Sequence, residues 1–156
     1  MTPIDQTEFS TKEGTFGNCF SACLASILEI PIEKVPNFMT LSNGEDVIKG
    51  ASQWLIQYGF ILLHRPILKE GDKPDLFWYH TQQGFDLYYI VTGVSPRKNP
   101  LKPDEHLKHA CVSRMYQIVH DPHPDKNGLL KITDYYFLLA LNQKVKVASH
   151  DLYNSL

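Results

Sequence analysis

Apolar residues recur at intervals of three and four near the start of the chain, from Cys19 to Ile30. This spacing predicts an α-helix with one buried stripe. Asn18 precedes the pattern and is suited to be its N-cap, and Pro31 stops it. The stripe consists of Phe20, Cys23, Leu24, Ile27 and Leu28.

A second helical pattern lies within residues 42–59. Ser42 or Asn43 is expected to cap this helix, and Gly59 is expected to end it. Its inward face consists of Val47, Ala51, Trp54, Leu55 and Tyr58.

After Gly59 the hydrophobic period changes to two, which is typical of strands. A run of helices followed by a run of strands indicates an α+β domain, with N-terminal helices packed on an antiparallel sheet. We expect one domain over residues 1–156, with a loop at 95–108 and a surface loop that contains one short element at 66–84. The predicted strands are 60–65, 86–94, 109–113, 116–121 and 134–141.

The composition is that of an ordinary globular protein, with 43% hydrophobic and 21% charged residues and a net charge of −2. A chain without a basic field is not expected to bind nucleic acid or an anionic membrane. Residues 1–15 lack the basic and apolar regions of a secretory signal, and three cysteines suggest reduced thiols. We therefore expect a cytoplasmic protein without disulfides.

Cys19 lies in the first turn of the predicted helix, directly after Gly17 and Asn18. A catalytic cysteine reacts as the thiolate, which is favoured by a helix N-terminus and by a neighbouring imidazolium. The sequence position provides the first of these features. Cys23 falls on the buried stripe and is interpreted as a core residue.

Among seven histidines, His109 stands out because it opens a predicted strand after a long loop. The next predicted strand ends at Asp121, where Pro122 takes the chain out of the sheet. A hairpin about residues 114–115 would place His109 and Asp121 at the same end of adjacent strands. There the carboxylate would orient the imidazole, as in a catalytic triad; His120 faces the other way.

These residues resemble the papain-like cysteine peptidase superfamily in its compact bacterial forms, which include NlpC-type peptidases, bacteriocin-leader peptidases, transglutaminases and deamidases. The chain looks more closely similar to a set of small bacterial and phage proteins over residues 14–38 and 88–129. The segments that carry this likeness are "GNCFSACLASILEIPIEKVPNF", "VTGVSPR", "HACV" and "VHDPHP".

The resemblance implies a papain-like fold and an enzyme that cleaves or transfers an amide, peptide or isopeptide bond. It implies Cys19 as the nucleophile, His109 as general base and acid, and Asp121 as the orienting residue. The substrate would be a protein or peptide, and no cofactor or metal is expected.

The likeness departs from the family at the oxyanion site. Papain-like peptidases commonly carry a glutamine about six residues before the cysteine, at the position of Glu13 here. The backbone N–H of Cys19 is one possible donor to the oxyanion. Asn18, Gln6 and Thr15 are candidates for a second, and the sequence does not choose among them.

Two other functions compete with this interpretation. One is a metal site, because thiols and imidazoles are zinc ligands. The other is a non-catalytic peptide-binding or ligand-binding module that keeps the fold, with Arg97 and His123 as substrate-binding candidates and Arg97 suited to hold a carboxylate. The possible metal ligands are Cys19, Cys23, His106, His109, Cys111, His120 and His123.

Overall fold

The computed structural model describes residues 1–41, 46–69, 71–72 and 87–141. In this part of the chain three α-helices precede the strands, and a short 3-10 helix, Ile32–Lys34, follows the first α-helix. The α-helices are α1 (Cys19–Leu28), α2 (Phe38–Leu41) and α3 (Val47–Ile56).

Helix α1 begins at the predicted residue and ends two residues early. Glu29 adopts a left-handed conformation with φ 56° and donates its N–H to Ala25 O, which terminates the helix before Pro31. Asn18 is the N-cap residue, but its side chain makes no capping hydrogen bond. The caps predicted for the second helix, Ser42 and Asn43, lie outside the described residues.

Five antiparallel strands form one sheet in the order β1-β5-β2-β3-β4. The predicted α+β class and antiparallel sheet are therefore confirmed. The strands are β1 (Phe60–Pro66), β2 (Tyr89–Lys98), β3 (His106–Arg114), β4 (Gln117–His120) and β5 (Lys131–Ala140).

The loop predicted over 95–108 was wrong at both ends. Strand β2 continues to Lys98 and β3 begins at His106, so His109 is inside a strand and does not open one. The pairing of β2 with β3 shifts between Val94 and Lys98, where Pro96 stands. This irregularity accommodates a residue without an N–H donor. The segment was predicted to be a loop because it is rich in proline.

The core lies on both faces of the sheet. On one face Ile90, Ala110 and Val112 pack in a cluster with Leu24 of α1 and Leu55 of α3. On the other face the alternate residues form a separate cluster of Tyr89, Val91, Cys111, Tyr135 and Phe137. Because successive side chains of a strand point to opposite faces, the two clusters follow directly from the period of two.

A close approach of β2 and β5 requires glycine at position 93. A Cβ atom there would lie 1.9 Å from the carbonyl oxygen of Lys131, and the β2–β5 register shifts between Thr92 and Gly93. Gly93 also pairs with His109 of β3. This contact therefore fixes the sheet next to the predicted catalytic histidine.

Within the described residues, every helix is too short or too polar to cross a bilayer.

Candidate active site

Cys19 is the first residue of α1, and the N-terminal segment of the chain fixes that end of the helix. The Asn18 side chain binds this segment, since its Oδ1 accepts from the N–H groups of Thr7 (3.1 Å) and Glu8 (3.0 Å). The carbonyl of Asn18 accepts from Ala22 N–H at 2.9 Å, as the first bond of the helix. Cys19 is left partly exposed, with a free thiol.

His109 and Asp121 form a buried pair. The Nε2 atom of His109 lies 2.7 Å from Oδ1 of Asp121, and their side chains are 5% and 4% exposed. His109 is in β3, and Asp121 directly follows β4. The turn between these strands is at Met115 and Tyr116, both with positive φ, one residue later than the predicted hairpin.

The Asp121 carboxylate accepts four hydrogen bonds. Oδ1 binds His109 and the N–H of His123 at 2.8 Å, and Oδ2 binds the N–H of Gly128 at 2.7 Å and Nη2 of Arg97 at 3.2 Å. Burial alone would raise the pKa of Asp121, but the hydrogen bonds from His109, His123 and Gly128 outweigh it and hold the pKa well below its usual range. The group is therefore a carboxylate at neutral pH.

The imidazole of His109 is correspondingly basic. Burial opposes its charged form, but the hydrogen bond to Asp121, followed by interactions with the thiols of Cys111 and Cys19, raises the pKa of His109 from 6.5 to about 11. The imidazole is thus an imidazolium at neutral pH, placed between a carboxylate and two thiols. An imidazolium beside a thiol favours the thiolate.

Exposure separates the two thiols that contact His109. Cys111 is fully buried, and burial raises the pKa of its thiol. Cys23 is also fully buried, and burial raises the pKa of its thiol well above the ordinary value. Of the three cysteines in the chain, Cys19 is the one that a substrate in solvent can reach.

His109, Cys111 and Asp121 also form a possible cation-binding group, with one ligand atom from each within 4.8 Å of the others. However, His109 Nε2 and Asp121 Oδ1 are joined by a hydrogen bond, and each Asp121 oxygen already accepts two donors. The group does not include the other predicted metal ligands, Cys19, Cys23, His106, His120 and His123. The geometry of the described residues is that of an ion pair.

Each of the three side chains predicted for the oxyanion donates a hydrogen bond within the protein. The Asn18 amide also donates to Thr7 Oγ1 at 3.0 Å, and the Thr15 hydroxyl donates to Phe9 O at 2.9 Å. Gln6 lies nearer the site, because its N–H donates to Pro122 O at 2.9 Å. A Cβ at position 17 would lie 3.5 Å from its Nε2 atom.

Gln6 is 7% exposed. Its Nε2 donates to Glu8 O at 2.8 Å, whereas its buried Oε1 has no partner among the described residues. A buried amide oxygen without a partner is costly. The unpaired atom is an acceptor, so only the Nε2 group of Gln6 could donate to an oxyanion, and Gln6 lies between the segments that bear Cys19 and Asp121.

The two predicted substrate-binding residues lie beside the His109–Asp121 pair. The Arg97 side chain is 14% exposed and ion-paired with both Asp121 and Asp125. The ring of His123 meets that of His109 edge to face, with 6.2 Å between centroids. Burial and the charge of Arg97 lower the pKa of His123.

Sequence reasoning missed one feature of this region, which is that Asp125 is a partner of Arg97. Cys111 was considered with His109 as a possible metal ligand, because residues two apart on a strand share a face, and the two residues do lie together beside Asp121. The pairing of Arg97 with Asp125 joins positions 28 residues apart and leaves no periodic signal.

A second His–Asp pair lies in another part of the sheet. Nε2 of His64 is 2.8 Å from Oδ1 of Asp134, and the His64 ring stacks on Tyr136 with 4.7 Å between centroids. No thiol is among the partners that the structure gives these described residues. This pair therefore provides an internal comparison for His109 and Asp121.

Comparison of the chain with family models, curated proteins and solved structures found no match.

Proposed function

We propose that this protein is a papain-like cysteine hydrolase or acyl-transferase that acts on an amide, peptide or isopeptide bond. The supporting observation is that the His109 imidazole binds the Asp121 carboxylate at 2.7 Å, and that the partly exposed thiol of Cys19 is one of the groups whose interaction raises the pKa of His109. A thiol, an imidazole and an orienting carboxylate are the components of nucleophilic catalysis by cysteine. Cys19 is the nucleophile, His109 the general base and acid, and Asp121 the orienting residue.

The reaction begins with the Cys19 thiol proton on His109. The Cys19 sulfur attacks the carbonyl carbon, forming a C–S bond while the carbonyl π electrons move to oxygen. When the tetrahedral intermediate collapses, the C–N bond breaks and the His109 imidazolium gives its proton to the leaving amine. The products of this half-reaction are a thioester on Cys19 and a free amine.

The second half-reaction releases the acyl group. Neutral His109 takes a proton from water, or from an acceptor amine, as that molecule attacks the thioester carbonyl. The C–S bond then breaks, and the sulfur leaves as the thiolate paired with His109. Water gives hydrolysis, and an amine gives acyl transfer.

The oxyanion formed in each step needs hydrogen-bond donors. Cys19 is the first residue of α1, and the N–H groups of a first helical turn have no acceptor within the helix. We assign its N–H as one donor and the second Nε2 hydrogen of Gln6 as the other, since the first is donated to Glu8 O. Loss of one such donor typically reduces kcat by about 10²–10³-fold.

The arrangement of elements supports the papain-like assignment. Helix α1 carries Cys19 and packs on β3 through Leu24, Ala110 and Val112. Strand β3 carries His109, and Asp121 follows its neighbour β4. A helix bearing the nucleophile on a sheet bearing base and acid is the arrangement implied by the resemblance.

The alternative, a non-catalytic binding module, is less well supported. It relied on Arg97 to hold an acidic ligand, and that guanidinium is occupied by Asp121 and Asp125.

The free thiols of all three cysteines agree with a reducing compartment, and we propose the cytoplasm. A peptide or protein segment is the substrate we propose.

Acyl-enzyme trapping tests this function. With a p-nitrophenyl ester, stopped-flow measurement should show a burst of p-nitrophenol close to the enzyme concentration, and peptide mass mapping should place the acyl group on Cys19. Cys19→Ala and His109→Ala should abolish the burst. His64→Ala, which removes the histidine of the other His–Asp pair, should keep it; acylation of surface lysines without a burst would contradict the proposal.

A further inference from the structure

We propose that Arg97 is a positioning residue, which holds the Asp121 carboxylate against the imidazole of His109. The inference rests on the proposed function, since it assigns a role in the same site. It replaces the expectation that Arg97 binds a carboxylate of the substrate.

The guanidinium of Arg97 is held on several sides. Its Nη2 donates to Asp121 Oδ2 at 3.2 Å, and its Nε donates to Asp125 Oδ2 at 3.0 Å. Nη1 donates to Ser95 Oγ at 3.1 Å, and Nη2 also binds Asp125 Oδ1. All three guanidinium nitrogens therefore have acceptors within the protein, so the group acts as a fixed brace.

The Arg97 guanidinium and the His109 imidazole bind different oxygens of Asp121. Oδ1 faces His109, whereas Oδ2 faces Arg97. Contacts at both oxygens prevent the carboxylate from rotating about its χ2 angle. Without Arg97, Oδ2 would keep the N–H of Gly128 as its other donor, and the orientation of the imidazole would be less well defined. Such supporting contacts decide how accurately a functional group is placed.

Asp125 makes this arrangement electrostatically possible. A lone guanidinium beside Asp121 would compete with the His109 imidazolium for the same negative charge. Asp125 provides Arg97 with a second carboxylate partner. The hydrogen bond from Arg97 is the main cause that lowers the pKa of Asp125. Cations and anions therefore alternate in the order His109, Asp121, Arg97, Asp125. Asp125 offsets the charge of Arg97, so the attraction between Asp121 and His109 is kept.

Charge and geometry have separable consequences. Arg97→Lys keeps a cation, but an ammonium cannot reproduce the planar fork that binds Asp121, Asp125 and Ser95 together. Arg97→Gln removes the cation and the fork. Asp125→Asn leaves the cation with Asp121 as its remaining carboxylate partner, which should lower the pKa of His109, whereas Arg97→Gln should raise it.

The test combines reactivity and titration. Iodoacetamide labelling of Cys19 at about pH 6.5 should slow by about tenfold in Arg97→Gln and Arg97→Lys, by analogy with the lower end of the loss found when a hydrogen-bond partner of a metal-ligating residue is removed. Lys98→Gln, which removes the neighbouring exposed cation, should label like wild type. NMR titration of the His109 ring should show opposite pKa shifts in Asp125→Asn and Arg97→Gln.

The results distinguish failure of the positioning role of Arg97 from failure of the proposed function. Folded Arg97→Gln and Arg97→Lys variants with wild-type labelling rates and an unchanged His109 titration would overturn the positioning role, while the proposed function would stand. If labelling of wild-type Cys19 is already independent of His109, both proposals fail. Should Arg97→Gln not fold, Arg97→Lys and Asp125→Asn decide the question, because each keeps a polar group and changes one property.

Discussion

His109 Nε2 and Asp121 Oδ1 lie 2.7 Å apart across twelve residues of sequence. The two-residue turn at Met115 and Tyr116 and a register shift between Val112 and Ser113 bring β4 back along β3. Val112 pairs with His120, so Asp121 follows β4 beside Cys111, two residues along β3 from His109. A buried ion pair is costly unless its other hydrogen bonds are made, and Asp121 makes three more.

This pair should make stability depend on pH at both ends of the range. The folded pKa of Asp121 is lowered from 3.8, so its contribution is full above about pH 4 and is lost as pH falls below that value. The folded pKa of His109 is raised from 6.5 to about 11. Its contribution is full below about pH 6.5 and is lost as pH rises toward about 11.

Urea unfolding of wild type and Asp121→Asn between about pH 3 and 10 measures this dependence. The variant should lose about 3 kcal/mol between about pH 4 and 6.5, and the loss should shrink on either side. Asp72→Asn is the matched control, because it breaks the more exposed pair with Arg65 and should cost less than about 1 kcal/mol. A pH-independent difference for Asp121→Asn would contradict the assignment.

Gly93→Ala should destabilise the protein by about 3 kcal/mol. The new Cβ would lie 1.9 Å from a backbone oxygen of Lys131, so β2 and β5 would have to separate. Gly50→Ala is the matched control, because a Cβ there would make an ordinary 3.4 Å contact with Phe38 and helix propensity would gain about 1 kcal/mol. Equal stabilities of the two variants would show that the close approach is absent.

Metal removal should not affect the reactivity of Cys19. His109 and Asp121 are hydrogen-bonded to each other, and a metal would have to displace that contact. We expect substoichiometric zinc by mass spectrometry after purification and unchanged iodoacetamide labelling in EDTA. About one zinc per chain, with unfolding on chelation, would instead support a metal centre at His109, Cys111 and Asp121.

The sequence predicted the elements well because local periodicity records which face of an element is buried. The start of α1 at Cys19 and the alternation along β3 were visible in this way. The extension of β2 past Pro96 was not visible, because proline usually marks a loop and here stands at an irregularity in the pairing.

The candidate site was predicted in part for a related reason. Cys19, His109 and Asp121 occupy positions that a local sequence pattern marks. They lie at a helix start, in an apolar strand and before a proline, respectively. The supporting contacts of Arg97 with Asp121 and Asp125 depend on how a loop folds after β4, and they join residues 24 and 28 positions apart. No local pattern encodes such contacts.

The rate at which iodoacetamide labels Cys19 tests the central claim most directly. An ordinary thiol with a pKa near 8.5 is about 1% ionised at about pH 6.5. If His109 stabilises the thiolate, wild-type Cys19 should react about 10- to 100-fold faster than Cys19 in His109→Ala, while His64→Ala should react like wild type. Equal Cys19 rates in wild type and His109→Ala, with both proteins folded, would contradict the claim that this protein is a thiol catalyst.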